Sequence, residues 1–157
     1  MRKITILLIF SLLFAFPAFS AQEKIELSSG QTVYVAIYSN VFIGAKERPF
    51  NLAAMLSIRN TDLHNQITIL SAHYFDNNGN SLKEYLPKPL NLAPLASHHV
   101  SIKESDEAGG FGANFIVRWK ATKEINTPVI ESVMIGEKSG QGISFVSQGK
   151  VIAESTK

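Results

Sequence analysis

In the stretch FNLAAMLSIRNT, Phe50 to Thr61, the apolar residues Leu52, Ala54, Leu56 and Ile58 fall on every second position, opposite Asn51, Ser57 and Arg59. A period of two belongs to a β-strand with one face on a core and the other in water. The same period recurs elsewhere. Val33, Val35 and Ile37 alternate with Tyr34, Ala36 and Tyr38, and Phe115, Val117, Trp119 and Ala121 alternate with Ile116, Arg118 and Lys120. Beyond the first twenty residues no long segment carries apolar residues at helical spacing. The chain therefore reads as all-β, with Trp119 in its core.

The runs between Gly, Pro, Asn and Asp clusters set the remaining strands. QITILSAHYFD ends in NNGN, where Asn78-Gly79 favours the positive backbone angles of a tight hairpin turn. The chain returns as SLKEYL, and Pro87 and Pro89 stop that strand or confine it to an edge. LNLAPLASHHVSIKE, NFIVRWKAT, PVIESVMIG and GISFVSQGKVI follow. Seven to eight strands at this spacing predict a single antiparallel β-sandwich of immunoglobulin-like type. The polar tail, 153–157, is expected to be disordered.

The N-terminus has a different pattern. Arg2 and Lys3, the apolar run from Ile4 to Phe16, and PAFSAQ have the order of a secretory signal, with Ala18 and Ser20 at the small positions before a cut. The apolar run is shorter than the ~20 residues of a membrane span, so cleavage after Ser20 is expected, giving a periplasmic or secreted protein without a membrane span. Removing 20 of the 157 residues leaves 137, enough for one domain (21–157) with one core. The cut also takes two of the 15 Lys and Arg and none of the 13 Asp and Glu, so the formal charge falls from +2 to zero. The basic excess that would suggest nucleic acid is thus discarded with the leader. With no cysteine, disulfides, thiolate metal sites and lipidated cysteines are excluded.

The blocks ERPFNLAAMLSIRNTD, ITILSAHYFDNNGNSLKEYL, LAPLASHHVSIKESD, GGFGANFIVRWKA and VIESVMIG…QGISFVSQGKVI resemble, in order, a bacterial exported family known only as a domain of unknown function, numbered thirty-one twenty-four. The resemblance covers almost all of the chain after the leader and implies no activity. The RNT strand end, the YFDNNGN hairpin and the LAPLAS turn more loosely resemble immunoglobulin-like modules of bacterial surface and periplasmic proteins, which implies shape alone.

ESDEAGGFGANFIVRW, Glu104 to Trp119, raises the question of a phosphate or metal cradle. Its glycines lead into a strand rather than a helix N-terminus, no Gly-Lys-Ser/Thr follows, and Asp106 and Glu107 repel anions. The alternating oxygen ligands of a calcium loop are missing too. Gly109, Gly110 and Gly112 read as a reversal between strands. His98 and His99 point to opposite faces of a strand, so a metal site would have to recruit His64 or His73 with a carboxylate. No Gly-x-Ser-x-Gly elbow or HExxH helix is present. No catalytic residue, metal ligand or cofactor is expected. Arg118 and Lys120 lie on the face opposite Trp119, which argues against a nucleic-acid stacking platform. In NTDLHNQIT, Asp62 is expected to pair with Arg59 across a polar turn.

These readings converge on an exported non-catalytic binding or assembly module of the bacterial envelope. The alternatives are a small periplasmic hydrolase or metal-handling protein using His73 and nearby carboxylates, and a purely structural subunit of a larger complex. Recognition in a sandwich falls on end loops or edge strands. GAKERPF and ESDEAGGFGAN both lead into core strands, and their charges are opposite: Lys46 and Arg48 against Glu104, Asp106 and Glu107. Arg48, Asp106, Phe111 and Asn114 are the candidate partner-binding residues, with Phe111 an aromatic anchor at a glycine-rich tip.

Overall fold

The computed structural model describes residues 25–138 and 140–154. The segment expected to be a leader, and its expected cleavage after Ser20, lie outside the described residues. Among the described residues twelve strands form: β1 Leu27–Ala36, β2 Asn40–Ile43, β3 Arg48–Asn51, β4 Ala53–Arg59, β5 Ile67–Phe75, β6 Ser81–Glu84, β7 Leu90–Leu92, β8 Ser97–Ile102, β9 Asn114–Asn126, β10 Val129–Lys138, β11 Gln141–Gln148 and β12 Lys150–Glu154. One sheet has the order β12-β1-β9-β5-β6, with β7 also pairing β5; a second has the order β11-β10-β4-β8; β2 and β3 form a two-stranded ribbon. Every pairing among the described strands is antiparallel.

The alternations seen in the sequence become the inner faces. Val33, Val35 and Ile37, Phe115, Val117 and Trp119, and Leu52, Ala54, Leu56 and Ile58 are buried in one cluster that joins both sheets. Each Val, Leu, Ile or Phe among them that is fully withdrawn from water contributes ~1.5–3 kcal/mol. β4 leads from the second sheet into β5 of the first, and β8 leads likewise into β9, while β4 pairs β8 and β5 pairs β9. These two crossovers interlock the layers into an antiparallel sandwich. Ser132 clamps them, its hydroxyl donating to the Ala36 carbonyl oxygen at 2.6 Å.

The strand count of twelve corrects the expected seven to eight. LNLAPLASHHVSIKE divides into β7 and β8 on different sheets, because the Ala93–Ala96 turn intervenes. GISFVSQGKVI divides at Gly149 into β11 and β12, again on different sheets. A Cβ at Gly149 would collide with the Ile130 carbonyl and Val33, so the chain changes layer there only because the side chain is absent. The disordered tail is also corrected: Ala153 and Glu154 belong to β12, opposite Thr32 and Gln31, and the Glu154 carboxylate accepts from Ser28 and Gln31. Residues 155–157 lie outside the described residues. As expected, β6 is an edge strand, and the edge breaks between β6 and β7 where Pro87 and Pro89 stand.

Candidate functional site

β1 and β5 end where β9 begins, so the connections that follow β1 and β5 and precede β9 meet at one end of the sandwich. Ile37 N–H donates to Ala113 O at 3.0 Å, Ser39 N–H to Gly110 O at 3.1 Å, and Asn77 N–H to Gly109 O at 3.1 Å. The Asn51 amide donates to the Glu107 carboxylate at 2.6 Å, tying the β2–β3 ribbon to the same loop. A Cβ at Gly109 would collide with the hydroxyl of Tyr74, itself bonded to Ser39 Oγ at 3.1 Å. The glycine-rich stretch therefore serves close packing, and Asp106 accepts from the Ala108 N–H within the loop.

What this end displays is aromatic. Phe42 on β2 and Phe111 on the loop meet edge to face, 6.0 Å between centroids and 60° between planes. They remain 56% and 55% exposed, with Ile43 exposed beside them. A shallow cleft of about 320 Å³ on the same end is lined by Asn51, Glu104, Glu107, Glu137 and Lys138 among others.

The four sequence candidates separate. Phe111 forms the aromatic pair; Arg48 opens β3 opposite Ile43 and is exposed. Asp106 is half-buried beside a second groove with Lys83, Tyr85 and Lys103. Asn114 is the first ladder residue of β9, between Ala36 and Phe75, rather than part of the loop tip. Phe42 escaped the sequence reading, although its place two residues before Gly44 resembles that of Phe111 among its own glycines. The ion pairs among the described residues are Arg59–Glu131 at 3.8 Å and His73–Glu84 at 3.7 Å, so no pair of that kind closes this end.

The Arg59–Asp62 pairing is corrected as well. Arg59 turns along its strand face to Ser57 and Glu131. Asp62 instead accepts from His64 N–H, Asn65 N–H and the Asn65 amide through one oxygen, and from Asn126 N–H through the other. The His64 bond first, and the Asn65 and Asn126 bonds after it, hold this carboxyl down to about 2 against the opposing effect of burial.

His73 lies on the outward face of β5, in register with Glu84. Its Nε2 is 2.6 Å from Ser81 Oγ, its Nδ1 is 3.7 Å from Glu84 Oε2, and its ring stacks on Phe75 at 4.7 Å. Glu84 is fixed by the Ala72 and Leu86 N–H groups, which donate to Oε1 at 2.8 and 2.9 Å. A hollow of about 270 Å³ adjoins, with Ser71, Ile116 and Arg118. Serine, imidazole and carboxylate thus stand in the order of a hydrolytic triad, though the carboxylate lies beyond hydrogen-bond distance of the ring. Among the described residues no three His, Asp or Glu side chains gather as a metal site.

A family model described as "Protein of unknown function (DUF3124)" matches residues 30–152. No curated protein matches the chain. A solved structure of the Thermotoga maritima protein designated 1070 is similar at 10% identity and a TM-score of 0.48, covering 80% of this chain and 97% of that one.

Proposed function

Since the chain belongs to this family of proteins of unknown function, its function has to be read from its own surface, and we propose that it is an exported, non-catalytic binding or assembly module of the bacterial envelope. The observation that supports this reading is the Phe42–Phe111 pair. Two aromatic rings half in water, on a ribbon and a loop bonded to each other and to the connection that follows β1, form a pre-ordered apolar anchor. Anchors of this type carry much of the energy of small interfaces, and a loop already fixed loses little entropy on binding. The cleft beside it adds Glu104, Glu107 and Glu137, and Arg48 adds a positive rim.

Phe42→Ser with Phe111→Ser is expected to keep the melting temperature and to lose the envelope protein that the native chain captures by crosslinking. Unchanged capture by the stable double variant would remove this end as the recognition surface. Export follows from the sequence order of the leader: the protein recovered from a periplasmic extract is expected to have the intact mass of a chain starting at Ala21.

The Ser81–His73 contact favours a second reading, a small hydrolase of the exported compartment. Its test is labelling by a fluorophosphonate. Adduct formation at Ser81 that disappears in His73→Gln supports it, and an unlabelled Ser81 leaves the binding module.

A further inference from the structure

The outer face of the first sheet carries a cation to which the fold gives no counter-charge. Arg118 lies on β9, the middle strand of the order β12-β1-β9-β5-β6, and takes part in neither ion pair found among the described residues. It is exposed, and its side chain lines the hollow of about 270 Å³ beside His73. Directly opposite Arg118 stand Thr32 on β1 and Ser71 on β5. Residues opposed in this way have Cβ atoms ~4.5–5.5 Å apart, so a group held by the guanidinium is within reach of both hydroxyls.

Ser71 owes its place to an irregularity in the ladder. Ile69 is opposite Trp119, and a regular register would set Leu70 opposite Arg118. A bulge at Leu70 inserts one residue there instead, so Ser71 takes the position, and His73 and Phe75 follow it on the outward face. Without the extra residue Ser71 and His73 would turn inward, to the side now filled by Ala72 and Tyr74. The bulge therefore exchanges an aliphatic neighbour of Arg118 for a hydroxyl and brings an imidazole into the same hollow.

Around these groups the wall is partly apolar, formed by Ile116 and Phe75. The carboxylate in the hollow, Glu84, is already engaged: its Oε1 accepts from the Ala72 and Leu86 N–H groups, and its Oε2 faces His73 Nδ1 at 3.7 Å. That charge stays close and opposes a dianion, whereas a planar monoanion matches the two-pronged guanidinium. Lys120, two residues further along β9 and exposed, adds to the positive field.

We propose that this hollow binds the carboxylate of a small organic acid, with Arg118 donating to both oxygens, Ser71 donating to one, and the apolar body of the acid lying against Ile116 and Phe75. The site is separate from the aromatic end, and it does not require Ser81 to act as a nucleophile.

Benzoate, benzamide and inorganic phosphate are the probes, each titrated into the isotope-labelled protein as cells export it and followed by NMR at physiological salt. Benzoate is expected to move the Arg118 Nε–H, Ser71 amide and Ile116 methyl signals to saturation, while benzamide, of the same shape without the charge, and phosphate leave them in place. Arg118→Gln should keep the melting temperature and raise the benzoate Kd by about tenfold or more, since a charge-assisted pair is lost. Arg118→Lys, which keeps the charge without the fork, should recover only part of that loss. Binding is read here without turnover, so failure to bind benzoate and failure of Ser81 to label are distinct results. Equal shifts from benzoate and benzamide would assign the hollow to apolar contact alone, and shifts from phosphate without benzoate would assign it to charge alone. Shifts spread evenly over Lys120 and Lys150 would mark only the surface charge of the sheet. Each of these outcomes, an unchanged Kd in Arg118→Gln, or no saturable shift with benzoate overturns the proposal.

Discussion

Trp119 carries the largest single packing role in the core. It is 0% exposed, and its indole N–H has no hydrogen-bond partner. Trp119→Ala is expected to cost about 3–5 kcal/mol by cavity formation. Trp119→Phe should cost clearly less, because it also removes an unpaired buried donor whose desolvation is worth about 1–3 kcal/mol. Chemical denaturation of both variants checks the order, and equal losses would contradict it. Titrating groups make the second residue-scale prediction. Burial, assisted by the neighbouring His99, holds His98 below the ordinary histidine range. The unfolded chain then binds that proton more readily than the folded one, so this contribution is complete above the ordinary range and is lost as pH falls through it. Asp62, held at about 2, contributes fully above the ordinary carboxylate range and loses its contribution on further acidification. Melting temperature against pH should fall in two steps, the upper one removed by His98→Gln and the lower one reduced by Asp62→Asn, the remainder belonging to Asp76, whose carboxyl is likewise held down, first by its bond from the Asn80 side chain.

At the scale of elements, the loop 103–113 depends on a close approach rather than on flexibility. Gly109→Ala sets a methyl against the Tyr74 hydroxyl and is expected to destabilise by about 1–3 kcal/mol. It should also disturb the adjoining Gly110 carbonyl, which accepts from the Ser39 N–H, seen as faster exchange of the Ser39 amide. The long strands and their faces were legible because period two survives wherever one side is buried, as at Leu52 to Ile58. Short elements were not. β2, β3 and β7 have three or four residues each, too few to display a period, and β12 could be separated from β11 only by knowing that Gly149 must approach Ile130. At the aromatic end, Phe111 was legible from its glycines, whereas Phe42 needed the ribbon that brings β2 beside the loop. Asn60 could be seen as a loop residue, but its role as a fastener between 92–96 and 60–65 depends on strands far apart in sequence.

For the whole molecule, the sandwich separates two surfaces of different chemistry. One end has aromatic rings beside carboxylates; the outer face of the first sheet has a guanidinium beside hydroxyls. The core beneath them is common to both sheets, so either surface can be altered without removing the other. The proposed binding role is tested most directly by placing a photoreactive amino acid at Phe111 in cells, and at Ile135 on the outer face of the second sheet as the exposed control. A discrete crosslinked envelope protein is expected from position 111, abolished by Phe42→Ser, and none from position 135. Equal crosslinking from both positions, or none from 111 while the protein is folded and exported, would contradict it.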